Sequence, residues 1–153
     1  SAGDVRDAFD LIIYRATRHM PDATIWGCQV QQMVKGGKEC IIVMNRDPQF
    51  GPLLMFGLGG VYVEALKDVT FRVSPIDRRE AREMLTEIRA YSLLRGVRGE
   101  KPSDLEAIAD TLVRVSQLVT DFPDIVELDI NPLLVFPAGQ GVLGLDMRLA
   151  LKA

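Results

Sequence analysis

Residues 127–146 read Glu127-Leu-Asp-Ile-Asn-Pro-Leu-Leu-Val-Phe-Pro-Ala-Gly-Gln-Gly-Val-Leu-Gly-Leu-Asp146, and this stretch decides the predicted fold. Apolar and polar residues alternate along both halves, and Pro137 and Gly139 interrupt them. This pattern predicts two strands joined by a short turn. Since side chains alternate between the faces of a strand, we expect Asp129 and Asn131 to share one face.

The predicted hairpin brings polar side chains together. Folding it symmetrically about Ala138 and Gly139 places Asn131 opposite Asp146, and cross-strand neighbours lie roughly 5 Å apart at Cβ. Asp129 is one step further along the same face. Carboxylate and amide oxygens suit Mg²⁺, which completes its octahedron with phosphates and waters. Two alternatives stay open: a bulge at the proline would shift the pairing by one residue, and an acidic strand face is often simply solvated.

The composition indicates an ordinary globular protein. The chain has 153 residues and 17.0 kDa, enough for one domain or part of one, with 48% hydrophobic residues, 25% charged residues and mean hydropathy +0.11. A net charge of -3 gives no reason to expect nucleic-acid binding. No apolar run approaches the ~20 residues of a membrane span, and the first ten residues do not resemble a secretory signal. Cys28 and Cys40 lie in apolar segments, so we expect reduced thiols and a cytoplasmic protein.

The remaining pattern predicts a helix, four strands and two helices before the hairpin. The predicted strands are Ile25–Val34, Glu39–Asn45, Leu53–Phe56 (continued over Val61–Glu64) and Val69–Val73. The predicted helices are Val5–Arg18 with Asp4 as its cap, one from Asp77 to Ala90 before a loop over Leu93–Gly99, and a capped helix that starts within Pro102–Glu106. Hairpins dominate and the helices are grouped. We therefore expect an α+β fold, a mainly antiparallel sheet with helices packed on one face.

Four motifs together resemble a known family. They are Gln31-Gln-Met-Val-Lys-Gly-Gly-Lys-Glu39, Asn45-Arg-Asp-Pro-Gln-Phe-Gly-Pro52, Phe56-Gly-Leu-Gly-Gly-Val-Tyr-Val-Glu64 and Glu127-Leu-Asp-Ile-Asn-Pro-Leu133. At these spacings they resemble the ATP-grasp domain of NDP-forming acyl-CoA synthetases, the ADP-forming acetate–CoA ligase type, related to the succinyl-CoA synthetase β subunit. The resemblance extends over essentially all 153 residues. It implies ATP or ADP, Mg²⁺ and phosphate transfer through a phosphohistidine to give acyl-CoA.

The resemblance also implies roles for individual residues. Asn131 and Asp146 match the family's magnesium ligands, and Asp129 takes the acidic position two before that asparagine. In the family, the strand between the two lobes receives adenine through backbone groups and apolar contacts. The residues that match this strand are Gln31, Gln32, Met33 and Val34. Glu39 matches an acidic residue beside the nucleotide. Arg46 begins the loop after the next strand, where we expect a cation to meet phosphate. No catalytic residue, and no phosphohistidine, is assigned.

The chain matches one part of the family's architecture. An ATP-grasp domain closes ATP between two lobes, and residues 1–153 correspond to the C-terminal lobe. The nucleotide-gripping N-terminal lobe and the CoA-binding domain have no counterpart in the sequence. Loss of a lobe removes phosphate contacts and the exclusion of water on which electrostatic stabilisation depends. We expect the isolated chain to be inactive, and its partners to be a nucleotide and those remaining synthetase domains.

Two alternatives to the ligase part stay open. Similar regions are fused to protein acetyltransferases as ligand-sensing regulatory domains. The chain could also be a truncated, non-catalytic module that self-associates, because removal of one lobe exposes an apolar face and strand edges. That exposure predicts a homo-oligomer.

Overall fold

The computed structural model describes residues 1–60 and 66–152. The predicted strand continuation over Val61–Glu64 lies outside the described residues. The chain divides into two compact units, Ser1–Lys35 and Gly36–Ala153, and each is described by itself.

The first unit begins with helix α1, Ala2–His19. The predicted helix is confirmed, but it starts three residues earlier than expected, because Ser1 is its N-cap. The Asp4 backbone N–H donates to Ser1 Oγ at 3.3 Å, and the Asp4 side chain accepts from the Ser1 amine in return. Asp4 is therefore the third helical residue of a capping box and not the cap itself.

The predicted strand over Ile25–Val34 is wrong. Residues 23–37 form neither strand nor helix in the structure, and the Trp26 side chain is 96% exposed. The apolar residues of this stretch favour an extended chain. A strand also needs a neighbour to satisfy its backbone N–H and C=O groups, and periodicity does not reveal whether that neighbour exists.

The second unit is built on a six-stranded antiparallel sheet in the order β3-β2-β1-β4-β5, with β6 also paired to β4. The strands are β1 (Lys38–Asp47), β2 (Gly51–Leu58), β3 (Val69–Val73), β4 (Ile125–Val135), β5 (Val142–Gly144) and β6 (Met147–Leu151). The apolar strand β1 lies between β2 and β4 in the middle of the sheet. This arrangement confirms the predicted antiparallel sheet.

Three helices accompany the sheet: α2 (Arg78–Glu87), α3 (Tyr91–Leu94) and α4 (Leu105–Asp121). Asp77 caps α2 as predicted, and Asp104, within the predicted start Pro102–Glu106, caps α4. Helix α2 ends three residues early, and α3 occupies part of the predicted loop. The core joins strand side chains, such as Ile42 and Phe56, to Met84 of α2 and Leu112 of α4. The predicted α+β class, with helices on one face, is confirmed. Among the described residues, no helix has the length and apolar character needed to cross a bilayer.

Candidate functional site

The closing hairpin has the predicted register. Val135 of β4 lies opposite Val142 of β5, and Glu127 of β4 lies opposite Ala150 of β6. The pairs between these two positions keep the same register. Between the two ladders, the Asn131 backbone N–H donates to the Asp146 carbonyl oxygen at 3.0 Å. The hairpin is therefore symmetric about residues 138 and 139, and Asn131 lies opposite Asp146.

A β-bulge lies on the other side of β4. Ile41 of β1 is opposed by two residues of β4, Asn131 and Pro132, because the register shifts by one between Cys40 and Ile42. A bulge at the proline was an open alternative in the sequence. It belongs to the ladder with β1, and the pairing of Asn131 with Asp146 on the other side of β4 is not disturbed.

Asp129 carries an unusual carboxylate. Its Oδ1 atom is buried and has no hydrogen-bond partner among the described residues. Burial raises the pKa of Asp129, the negative charges of Glu127 and Asp146 raise it further, and Arg148 opposes them. Buried polar atoms of native proteins nearly always have a hydrogen-bond partner, which can be a water molecule or an ion. Because Glu127 and Asp146 add negative charge around the Asp129 carboxylate, the binding of a cation would be favoured here.

The side chains fit a magnesium ion. Asn131 and Asp146 are exposed, and together with Asp129 they offer only oxygen ligands, the chemistry that Mg²⁺ prefers. No group of three or more His, Cys, Asp or Glu residues in the described part of the chain could hold a metal ion. The candidate set thus contains two carboxylates, its third side-chain oxygen would come from the Asn131 amide, and its binding of a metal remains a prediction. Two carboxylates and one amide leave coordination positions for water and phosphate oxygens, as is usual for Mg²⁺.

Glu39 lies on the same face of the sheet as this cluster. Alternation along β1 places it on one face with Val43, and Val43 lies opposite Asp129. The Glu39 carbonyl accepts from the Gly59 N–H at 2.8 Å, and a Cβ on Gly59 would lie 3.1 Å from the Glu39 Cβ. Only glycine fits comfortably there, so part of the glycine-rich segment serves this close approach. The role of Glu39 beside a nucleotide remains a prediction.

Residues 31–34 belong to the first unit. Gln31, Gln32 and Met33 are exposed and Val34 is half-buried. Within the described residues, their backbone groups take part in no ladder, so they are available to a ligand. Gln31 and Met33 also line an apolar cavity of about 690 Å³ beside α1, a size typical of small-molecule pockets. Their contact with adenine remains a prediction.

Arg46 does not lie where the sequence predicted. It is a residue of β1 and does not begin the following loop. Its guanidinium donates to the carbonyl oxygens of Ile125 at 2.9 Å, Val119 at 2.6 Å and Phe122 at 3.5 Å, so it caps the end of α4. These bonds engage Nε and Nη2 of the guanidinium and give Arg46 a structural role that the sequence did not indicate, while its contact with phosphate remains a prediction. Cations commonly satisfy the last carbonyls of a helix in this way.

Asp104 has a second role that the sequence did not reveal. Besides capping α4 through the Ala107 N–H at 3.1 Å, it accepts from the Gly139 and Gly141 N–H groups, both at 2.9 Å. Bonds from Gly141, Ala107 and Gly139 hold the pKa of Asp104 below its usual value, although burial opposes this. One carboxylate therefore ties the helix to the turn that sets the hairpin register. The two glycines follow Asp104 by 35 and 37 residues, so no local signal could have indicated them.

The family can now be identified. A family model described as "ATP-grasp domain" matches residues 1–151 of this chain. The chain belongs to this ATP-grasp family. The predicted resemblance is thereby confirmed.

Curated ATP-grasp relatives are ligases. Acetate–CoA ligase [ADP-forming] I of Archaeoglobus fulgidus is 56% identical over 148 residues, which are 97% of this chain and 21% of that protein. The β subunit of acetate–CoA ligase [ADP-forming] II of Pyrococcus furiosus is 48% identical over 153 residues, which are 99% of this chain and 65% of that subunit. The chain is thus similar to the ATP-grasp portion of these ligases and spans only part of their length.

Solved structures agree with this assignment. The dinucleotide forming acetyl-coenzyme A synthetase 1 of Ca. Korarchaeum cryptofilum, in complex with coenzyme A, Ca-AMPCP and HgCl⁺, is 44% identical with a TM-score of 0.90. The match covers 99% of this chain and 66% of that one. The same synthetase has been solved with coenzyme A and Mg-AMPPCP, with 45% identity and a TM-score of 0.73 over 78% of this chain and 55% of that one. Nucleotide and coenzyme A are thus ligands of that homologue.

Proposed function

We propose that this ATP-grasp chain holds Mg²⁺ and a nucleotide as part of an ADP-forming acyl-CoA synthetase, an acid–thiol ligase. The reaction would interconvert acyl-CoA, ADP and phosphate with acid, CoA and ATP. In this proposal the chain contributes the metal ligands, while the N-terminal ATP-grasp lobe and a CoA-binding domain complete the enzyme. The isolated chain is expected to be inactive.

The observation that carries the proposal is the pairing of Asn131 with Asp146 beside the unpartnered oxygen of Asp129. The pairing follows from the register of the hairpin, which the backbone ladders on either side of it set. The site is therefore built on a sheet, and sites built on strands hold ligands more precisely than sites on loops.

Each ligand would have a distinct part. Asp146 and Asp129 would supply negative charge, and the neutral Asn131 amide would supply a third oxygen without further repulsion. A bound Mg²⁺ neutralises charge on phosphate oxygens during phosphoryl transfer. Glu39, on the same sheet face, would orient the nucleotide, and residues 31–34 would accept adenine through their backbone groups. These last two assignments rest on the family resemblance.

The alternative of an acetyltransferase regulatory domain has less support. The relatives reported above are ligases by name, and the Asp129 cluster has the ligand chemistry that such a reaction needs. A regulatory domain would keep ligand binding but would have no need for metal-assisted phosphoryl transfer. The two hypotheses therefore differ in turnover.

A chimera tests the proposal. In it, this chain replaces the matching 65% of the Pyrococcus furiosus β subunit, and ligase turnover is measured with the partner subunit present. We expect turnover, and a loss of at least a hundredfold in Asp146→Ala and Asn131→Ala. Asp124→Asn is the control, because Asp124 is an exposed carboxylate one residue before the same strand β4.

Two results would contradict the proposal. One is a folded chimera whose turnover survives Asp146→Ala. The other is a folded chimera that binds ATP but does not turn over, while the parent β subunit does so under the same conditions. The second result would favour the regulatory alternative.

A further inference from the structure

Strand β6 forms an exposed apolar edge of the sheet. In the described part of the chain it pairs with β4 alone, so its other side has no strand neighbour. Met147, Leu149 and Leu151 are 69%, 48% and 62% exposed. Native proteins usually protect such an edge with proline or with inward-pointing charges. Here β6 contains no proline and its apolar residues share one face.

A groove continues this apolar surface towards α4. It has a volume of about 380 Å³ and lies between the helix and the strand, with Val115 and Leu118 on one side and Met147 and Leu149 on the other. Exposed, contiguous apolar surface of this kind marks a site of association. An open strand edge beside it adds unpaired backbone groups that favour another strand as the occupant.

We propose that β6 pairs antiparallel with β6 of a second copy of the chain, about a two-fold axis at Leu149. In this register Met147 lies opposite Leu151 of the second copy, so the two apolar rows and their grooves become continuous. Arg148 lies opposite Ala150, and Asp146 lies opposite Lys152. Apolar residues therefore face apolar ones, and the one charged pair has opposite signs.

The sequence of β6 disfavours the neighbouring registers. A shift that centres the axis on Arg148 places two arginines opposite each other. A shift that centres it on Ala150 places Arg148 opposite Lys152. If the axis lies between two residues, the apolar side chains of one copy share a face of the joined sheet with the polar side chains of the other. The charges and the alternation thus specify one self-complementary pairing, which argues for a second copy rather than an unrelated strand.

The interface would be small. Five strand residues and one groove on each side fall short of the roughly 1,200–2,000 Å² that stable complexes bury. We therefore expect a weak dimer that dissociates on dilution.

Sedimentation velocity between 1 and 300 μM tests the proposal with the chain as it is. We expect the mass to rise from 17.0 kDa to twice that value. Leu149→Lys, which places like charges on the axis, should remain a monomer throughout. Phe71→Lys is the matched control, because Phe71 is also 48% exposed but lies on β3 at the opposite edge of the sheet. This control should dimerise like the parent chain.

A charge exchange tests the register. Lys152→Glu should weaken the dimer about tenfold, and adding Asp146→Lys should restore it. Hydrogen exchange of the unchanged chain at 5 and 500 μM supplies a readout that needs no variant: protection should increase in β6. A monomer at 300 μM, or a dimer that Phe71→Lys dissociates and Leu149→Lys does not, would overturn the proposal. So would concentration-dependent protection confined to other strands, which would show a different occupant or surface.

Discussion

Asp104→Asn should loosen the turn that sets the metal-site register while leaving its helix capped. Oδ1 of Asp104 accepts from the Ala107 N–H, and Oδ2 accepts from both Gly139 and Gly141. Asparagine has only one carbonyl oxygen and is as good an N-cap as aspartate. It can therefore keep the bond to Ala107, but its NH₂ group would face two backbone donors.

The cost follows from the bonds that are lost. A hydrogen bond to a charged group contributes about 1.5–3 kcal/mol, and solvent exposure reduces this. Two such bonds at a partly exposed carboxylate give about 2 kcal/mol for Asp104→Asn. Asp104→Ala also removes the helix cap, which adds about 1 kcal/mol. A loss of 2 kcal/mol corresponds to a fall in Tm of roughly 6 °C for a chain of this size.

Asp77 supplies the matched control. It caps α2 through the Glu80 N–H at 2.8 Å, as Asp104 caps α4, and no bond to a turn accompanies this cap. Asp77→Asn should change stability little, and Asp77→Ala should cost about 1 kcal/mol. Urea unfolding followed by far-UV circular dichroism measures all four variants. Tryptophan fluorescence is unsuitable, because the one tryptophan, Trp26, lies in the first unit.

The comparison of Asp104→Asn with Asp77→Asn tests whether the Asp104 carboxylate holds the turn. If Asp104→Asn and Asp77→Asn are equally stable, the carboxylate does not hold the turn and the reasoning fails. If Asp104→Asn alone is destabilised, the difference measures the bonds to the two glycines.

Three further predictions concern Asp104, Asp129 and Arg46. Because the pKa of Asp104 is lowered in the folded chain, its carboxylate stabilises the fold at pH values above the unfolded pKa of about 3.9. This stabilisation is lost as the pH falls through the lower folded pKa. The urea midpoints of the parent chain and Asp104→Asn should therefore converge in acid. The raised pKa of Asp129 means that its charged form destabilises the metal-free fold. Asp129→Asn should therefore stabilise the metal-free chain at pH 7 by about 1 kcal/mol in urea unfolding. The same variant should abolish stabilisation by Mg²⁺. Arg46→Met should cost about 2–3 kcal/mol, because the Val119 and Phe122 carbonyls at the end of α4 and the Ile125 carbonyl at the start of β4 lose the guanidinium as a donor. Calorimetry should nevertheless show unchanged metal affinity.

The sequence contained enough information to predict the hairpin. Strict alternation fixed which residues share a face, and the turn residues fixed the centre of symmetry, so Asn131 could be placed opposite Asp146. The starts of α2 and α4 were predictable for a similar reason, because the residues that cap a helix form local patterns. Family motifs then added the chemistry that alternation alone could not supply.

The errors concern contacts between residues far apart in the chain. The composition of Ile25–Val34 is typical of a strand, but it does not show that a strand partner is missing from the described residues. Arg46 looked free for phosphate because its partners lie more than 70 residues later. The unpartnered oxygen of Asp129 was also invisible, since it depends on burial in the folded sheet.

The central claim is that Asn131, Asp146 and Asp129 hold one divalent cation, and Mn²⁺ titration followed by NMR tests it most directly. Paramagnetic broadening falls steeply with distance from the ion, so it locates the binding site in the chain itself. We predict that the resonances of these three residues disappear first and that Asp146→Ala abolishes the effect. Broadening that begins elsewhere, or that survives Asp146→Ala unchanged, would contradict the account.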